Sequence, residues 1–419
     1  MGRALLVAAV LLGVVPGVAG AATFRVTSTT DAVDASAGDG KCATAAGACT
    51  LRAAVQEANA TSGESTISVP AGRYVLTIAP TSAGSLSDTD PSQGDLDISG
   101  TVAIRGAGPA RTVVDGGGKD RVFFVGTGAS AVLTGMTITH ADSTGGGTSQ
   151  EIDLGGGILN NGEITLARMA LVGNLADGGG GMFSIPGTHP IVRDSLITGN
   201  RAYSGGGLRL DAGGTVINTT ITANKLIELP PDWMTSKPVG VVVPTVDEIS
   251  GWGGGIDNRG GGDVVIVNST IAGNYAIKGG GGLAAGQGYA PVSDQAALGR
   301  MTLRNTIVAG NTSKAGPKNC HVKDQIIASL GNNLDTDGSC FLTAKGDRPK
   351  TDPLLGPLAN NGGPTRTLAL RPGSPAIDAG GAKDCPPRDA RGVRRPQGRA
   401  CDMGAYERRA KPKRQSSGL

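Results

Sequence analysis

Four charged residues at matching places in two consecutive repeats, Arg209, Asp211, Asp257 and Arg259, form the densest candidate for chemistry in the chain. Two carboxylates beside guanidinium groups could serve acid–base cleavage of a sugar chain or abstraction of a proton next to a uronate carboxylate. The same residues also read as cross-coil salt bridges on a solvated face, and that is the preferred reading. His140 is a second candidate. It stands where five other repeats carry Gly or Ala, with Asp142 close by, and could act as a base. A single exposed imidazole is the commoner outcome of such a pattern.

Other residues suggest binding. The stretch 225–252 is an insertion between repeats and holds both tryptophans of the chain, Trp233 and Trp252. The next repeat has a smaller excursion with Tyr289. Aromatics on protruding loops can stack on sugar rings or on a partner protein, or pack against the coil they leave. In "NNLDTDGSC", Asn333, Asp335, Asp337 and Gly338 align with the opening of a calcium loop, but the closing Glu position falls on Ala344. "SDTDPSQGDLD" offers Asp88, Asp90, Asp95 and Asp97. Both stretches read equally as turns whose acids accept local hydrogen bonds; calcium is the one cofactor considered. "KGGGGL" at 278–283 is no phosphate loop, because Lys278 precedes the glycines and Leu283 follows them.

The elements that must position these residues appear when repeats are aligned on an asparagine: Asn174, Asn200, Asn224, Asn274 and Asn311. Three positions earlier stand Leu171, Ile197, Ile221, Ile271 and Val308, and eight earlier Leu166, Val192, Val216, Ile266 and Leu303. Positions five apart point to opposite faces of a straight strand, so a bend must separate them. It is placed at the polar column Arg168, Asp194, Asn218, Asn268, Asn305. A second bend is expected at the Asn, which tolerates left-handed angles. A short spacer, the glycines and one more aliphatic (Ile158, Met182, Leu208, Ile256, Leu283) then give a third strand. Successive asparagines lie 26 and 24 residues apart. Three short strands in so short a period predict an all-β parallel β-helix, a solenoid of roughly ten coils over 65–345. The Asn column predicts a buried hydrogen-bonded ladder, and the regularity of the repeat accounts better than sugars for the apparent glycosylation sequons at Asn218, Asn268 and Asn311.

The ends complete the picture. Residues 1–21 read as a secretory signal: Arg3, an apolar run over 4–15, and Ala19-Gly20-Ala21 as the cleavage site. No other long apolar run follows, so the expected product is exported, soluble, not membrane-spanning and monomeric, either secreted or held at the cell surface. Six cysteines fall as Cys42/Cys49, Cys320/Cys340 and Cys385/Cys401. Local pairing in an oxidising compartment is preferred to a zinc site, since the chain has no C-x-x-C and its three histidines do not cluster. A net charge of +3 argues against nucleic acid as partner. The basic end, 408–419, reads as a disordered tail. Leu51, Ala54, Val55 and Ala58 share one face of a short helix that could cap the open first coil.

Several stretches resemble one bacterial family. "CTLRAAVQEANA" at 49–60 is similar to the N-terminal signature of CSLREA-domain proteins, and "GDLDI" at 94–98, "AIRGAG" at 103–108 and "TVVDGGG" at 112–118 to their first coils. "NNGGPTRTLALRPGSPAIDAG" at 360–380 and "RGVRRPQGRACDMGAYE" at 391–407 resemble their choice-of-anchor segment. The resemblance implies a right-handed β-helix that is secreted or on the cell surface, in a family mostly without assigned activity. It divides the chain into a cap (22–64), the β-helix (65–345) and a C-terminal segment (346–407). Ala53 stands where the family has Glu, and no apolar anchor follows Glu407, which favours release over attachment. The leading expectation is a binding, adhesion or scaffold module for glycans or surface partners. The alternative is a polysaccharide lyase or glycoside hydrolase working on an outer face.

Overall fold

A computed structural model describes residues 21–81, 90–144, 153–211, 213–228, 251–285, 300–322, 327–382 and 385–410. The expected signal segment, Asp88, Trp233, Tyr289 and nearly all of the basic tail lie outside these residues. The chain winds as a parallel β-helix. Its first sheet has ten strands running in order from Ala22–Arg25 through Ser65–Val69 to Ile327–Ser329, and the second has ten from Gly72–Val75 to Arg348–Pro349. A third, of eight, runs from Leu96–Ile98 to Cys320–Val322. Each coil contributes one short parallel strand per sheet, so successive coils stack at roughly 4.8 Å. The aliphatic columns fill the interior: Leu166, Val192, Val216, Ile266 and Leu303 are fully buried, as are Leu171, Ile197, Ile221, Ile271 and Val308.

Two expectations need correction. The spacer after the Asn is itself a strand in the middle coils. Leu175–Gly178, Arg201–Ser204, Lys225–Leu226, Tyr275–Ala276 and Thr312–Ser313 form a fourth sheet, closed by Gly316–Pro317. These coils are therefore four-sided. Ala176, Ala202, Leu226 and Ala276 point inward from it, but an alternation of two to four residues is too short to stand out in sequence. The second left-handed bend falls one residue before the Asn, at Gly173, Gly199, Ala223, Gly273 and Gly310 (φ 67, 68, 57, 67 and 60°). The first is where the polar column placed it, at Arg168, Asp194, Asn218, Asn268 and Asn305.

Relieved of the turn, each Asn side chain points inward. Asn174 Nδ2 donates to Asn200 Oδ1 at 3.0 Å, and the pattern continues through Asn224, Asn274 and Asn311. The same Oδ1 atoms also accept the backbone N–H of the preceding Asn. The ladder runs further than the repeat alignment: Asn311 donates to Asn319 at 3.0 Å and Asn319 to Asp335 at 2.6 Å. The glycines fit beside it. A Cβ on Gly207 would lie 2.6 Å from Gly255 O and 3.0 Å from Asn224 Nδ2, so only glycine lets the chain pass that corner.

The helix forms over Leu51–Ala60, capped by Thr50, whose side chain accepts from Ala53 N–H at 3.1 Å. Leu51, Ala54, Val55 and Ala58 join the main core. Arg52 is fully buried: it pairs with Asp31 at 2.7 Å and donates to the carbonyls of Gly94, Asp95 and Pro91. The cap is thereby bolted to the segment that leads into the first strand of the third sheet. Residues 346–407 lie along the second sheet, where Leu368, Leu370, Ala376 and Met403 pack on Ala272, Ile307 and Ala309. The polar bend column holds them there, since Asn218, Asn268, Asn305 and Asn332 donate to the carbonyls of Arg388, Asp402, Gly381 and Ala379.

All three expected disulfides are present: Cys42–Cys49, Cys320–Cys340 and Cys385–Cys401. They are not alike in their surroundings, which the local spacing alone did not reveal. Cys49, Cys320 and Cys340 are buried in the main core beneath the coils. Cys401 is buried too, but inside the C-terminal segment and outside that core. Its carbonyl accepts from Gly380 N–H at 2.7 Å, which ties the two strings of that segment together beside the bond to Cys385. Cys401 thus serves as a packed interior residue of the segment as well as a loop closure, as cysteines with apolar character commonly do. No helix among the described residues is long and apolar enough to cross a membrane.

Candidate functional site

The Arg209/Asp257 cluster sits on the outer side of the third sheet, where Arg209 is in register with Phe183 on one side and Asp257 on the other. Residues two apart share a face of a strand, so the ion pairs form within each strand and not across coils as expected. Arg209 grips Asp211 through Nη2 (2.8 Å) and Nε (3.0 Å), and Arg259 Nε meets Asp257 at 2.6 Å. The coils are linked by the Arg259 N–H, which donates to Asp211 Oδ1 at 3.1 Å. Nor is this face solvated: the four side chains are between 0 and 8% exposed. Burial pushes the Asp257 carboxyl up to about 6 despite its arginines, and it lowers Arg259. The outer row continues as Phe183, Leu159 and Phe124, a small apolar cluster, with the Arg209 guanidinium 5.0 Å from the Phe183 ring. No group of the quartet is presented to a ligand.

Trp252 is half-buried, with its ring 3.9 Å from that of His321 at the far end of the same outer row. The calcium candidates close the Asn ladder. Asp335 accepts from Asn319 Nδ2, Asp337 N–H and Cys340 N–H, and Asp337 from Asn319 N–H and Ser339 N–H. Burial raises Asp335 above the usual carboxylate range. Asp90 caps a turn through Ser92, and Asp95 pairs with Arg121 at 2.6 Å. Among the described residues no three His, Cys, Asp or Glu side chains are placed to hold a metal ion.

His140 is different. Three neighbouring strands of the second sheet, Gly72–Val75, Thr112–Asp115 and Thr137–Thr139, bring Arg73, Asp115 and His140 together. Asp115 is in register with Thr139, so the residue that follows, His140, hangs over it. The Asp115 side chain is 5% exposed and the His140 ring 65%. Asp115 Oδ1 accepts from Gly117 N–H at 2.9 Å, while Oδ2 faces Arg73, with which it pairs, and His140 Nδ1 at 3.4 Å. Arg73 Nη2 lies 3.2 Å from the same Nδ1. One ring nitrogen thus faces both an acceptor and a donor, leaving Nε2 on the opposite edge of the ring. His140 holds φ at 50°, a left-handed conformation that costs a non-glycine residue about 1 kcal/mol. The triad opens on a groove of about 520 Å³ whose lining includes Asp115, His140, Asp142, Leu175 and Arg201. Arg73, Asp115 and Arg201 were not singled out in the sequence. The signal available was His140 itself, a departure from glycine at a repeated turn.

No family model and no curated protein matches the chain. Among solved structures it is similar to the crystal structure of pectate lyase Pel9A, at 13% identity and a TM-score of 0.38, over 93% of this chain and 98% of that one. It is also similar to the A-module of the Azotobacter vinelandii mannuronan C-5 epimerase AlgE4, at 18% identity and a TM-score of 0.38, over 68% and 70% of the two chains.

Proposed function

We propose that this chain is a polysaccharide-cleaving enzyme whose acid–base group is His140. The observation that carries the reading is the exposed imidazole whose Nδ1 faces the buried Asp115 carboxylate and the Arg73 guanidinium at the edge of an open groove. With its proton on Nδ1 the ring donates to Asp115 whether neutral or cationic, so Nε2 is the nitrogen that takes and returns a proton. Asp115 therefore orients the ring in both protonation states, which is what a group that takes a proton and later returns it requires. The buried quartet, with equal charge, lacks access. The binding role expected from the loop aromatics rests on Trp233 and Tyr289, outside the described residues, and on Trp252, which is packed against His321.

The test is incubation of the purified protein with a panel of polyuronates and neutral glycans, following new reducing ends and unsaturated uronates. Wild type is expected to release product, and His140→Ala to lose it by about 10²–10⁴-fold with an unchanged melting temperature. Binding without cleavage, or cleavage that survives His140→Ala, would sink the proposal.

A further inference from the structure

The fourth sheet carries an outward row that starts beside the groove. Asp142 bridges Leu175, which is in register with Arg201, then Lys225, then Tyr275, one residue per coil. Arg201 lines the groove itself. It is exposed and has no ion-pair partner among the described residues. Lys225 is exposed too, with its ammonium 5.5 Å from the Tyr275 ring, which steadies its position without neutralising it. Glu228 pairs with Lys314 at 2.8 Å, and Asp142 Oδ1 accepts from the Thr144 N–H and hydroxyl. Two like charges stand in register on adjacent strands, a pairing that destabilises a sheet unless something of opposite sign lies across it.

We infer that Arg201 and Lys225 form a binding strip for a polyanionic glycan, and that the polymer held there runs along the coil axis into the His140 groove. This rests on the acid–base reading of His140 and adds the substrate class, a chain of uronate residues. Arg201 and Lys225 stand on adjacent strands, roughly 4.8 Å apart along the coil axis, close enough for carboxylates on one side of a single polymer to meet both. A carboxylate beside the reacting carbon also selects the chemistry. His140 Nε2 takes the proton from the carbon bearing the carboxylate, and the electron pair left behind forms a double bond to the adjacent carbon. The C–O bond to the next sugar breaks, and its oxygen receives the proton back from the imidazolium. No oxidant or added water is needed.

The experiment measures binding and cleavage separately on the full chain. Polygalacturonate and a neutral glucan of similar length are titrated at low and moderate salt, with Arg201→Ala, Lys225→Ala, the double variant and the distant surface control Lys41→Ala. Each single strip variant is expected to weaken polygalacturonate binding three- to tenfold and the double about thirtyfold, with a shallower salt dependence. Lys41→Ala should bind as wild type, and the neutral glucan weakly throughout. Equal affinity for the neutral glucan, or polygalacturonate binding unchanged in the double variant, overturns the strip. If the double variant loses binding but wild type cleaves nothing, the strip stands and the enzyme reading fails. If wild type and double variant cleave with the same KM, the enzyme reading stands and the strip fails.

Discussion

The quartet on the third sheet and the triad on the second use the same chemistry, arginine against aspartate on the outside of a coil, yet they differ in everything that decides function. At the quartet every charge is paired within its own strand and covered, and the outer row continues as Phe183, Leu159 and Phe124. At the triad the carboxylate is buried but the imidazole it faces is open to a groove. Charge clustering alone did not separate the two; access and an unspent ring nitrogen do. The largest expected effect follows from this contrast. Asp257→Ala removes the acceptor of the buried Arg259 Nε and should cost about 3–5 kcal/mol in urea unfolding, while cleavage per folded molecule stays at the wild-type rate. A loss of activity with little loss of stability would move the active site to the quartet.

Proton titration sharpens the same comparison. Burial holds the folded Asp257 carboxyl at about 6, above its ordinary 3.8, so between these values the native state binds more protons than the unfolded chain. Stability from this group is then fully present below about pH 4 and lost as pH rises through about 6. The contribution is up to about 3 kcal/mol. Asp257→Asn should flatten that slope of the unfolding midpoint against pH. A slope identical to wild type would show that the group titrates normally.

A smaller effect is expected at the ladder, which both regions depend on for their register. Asn224→Ala removes donors to Asn274 and Ile197 and the acceptor for Asn200, and should cost about 1–3 kcal/mol. Asn224→Asp keeps the acceptor but buries a carboxylate against the oxygens of Asn274 and Ile197, and should cost more than the alanine. If Asn224→Ala is neutral, the stacked amides add nothing to the coil.

The ladder was also the most legible part of the sequence, and the reason is physical. An amide column works only if every coil supplies the same residue at the same corner, so the pattern repeats five times before Asn319 and Asp335 end it with different spacing. The cap was legible because Leu51, Ala54, Val55 and Ala58 keep helical period beside Cys49. The fourth sheet was hidden by its short strands. The burial of Asp257 was hidden because alternation says which side of a strand a residue occupies, not whether that side is later covered. Arg73 and Asp115 were hidden because they lie in coils before the Asn column begins, where no aligned repeat could mark them as exceptions. The bend column looked like mere turn-formers, yet Asn218, Asn268 and Asn305 fasten the C-terminal segment.

The smallest effect separates the two regions most cleanly. Five other coils place Gly or Ala at the left-handed position where His140 sits, and four of those are glycines. His140→Gly therefore returns this coil to the common pattern. The left-handed penalty of about 1 kcal/mol is relieved, partly offset by the greater freedom of glycine in the unfolded chain. The variant should be more stable than wild type by about 0.5 kcal/mol, read as a small rise in urea midpoint at unchanged slope, and should show no cleavage. Stability and activity then move in opposite directions at a single exposed residue, as they do where a site is kept at the expense of its scaffold. A substitution in the quartet cannot do this, because there loss of the charge and loss of the fold coincide. If His140→Gly instead destabilises the protein by a kcal/mol or more, its contacts with Asp115 and Arg73 are structural ties, and the second sheet has no better claim to chemistry than the third.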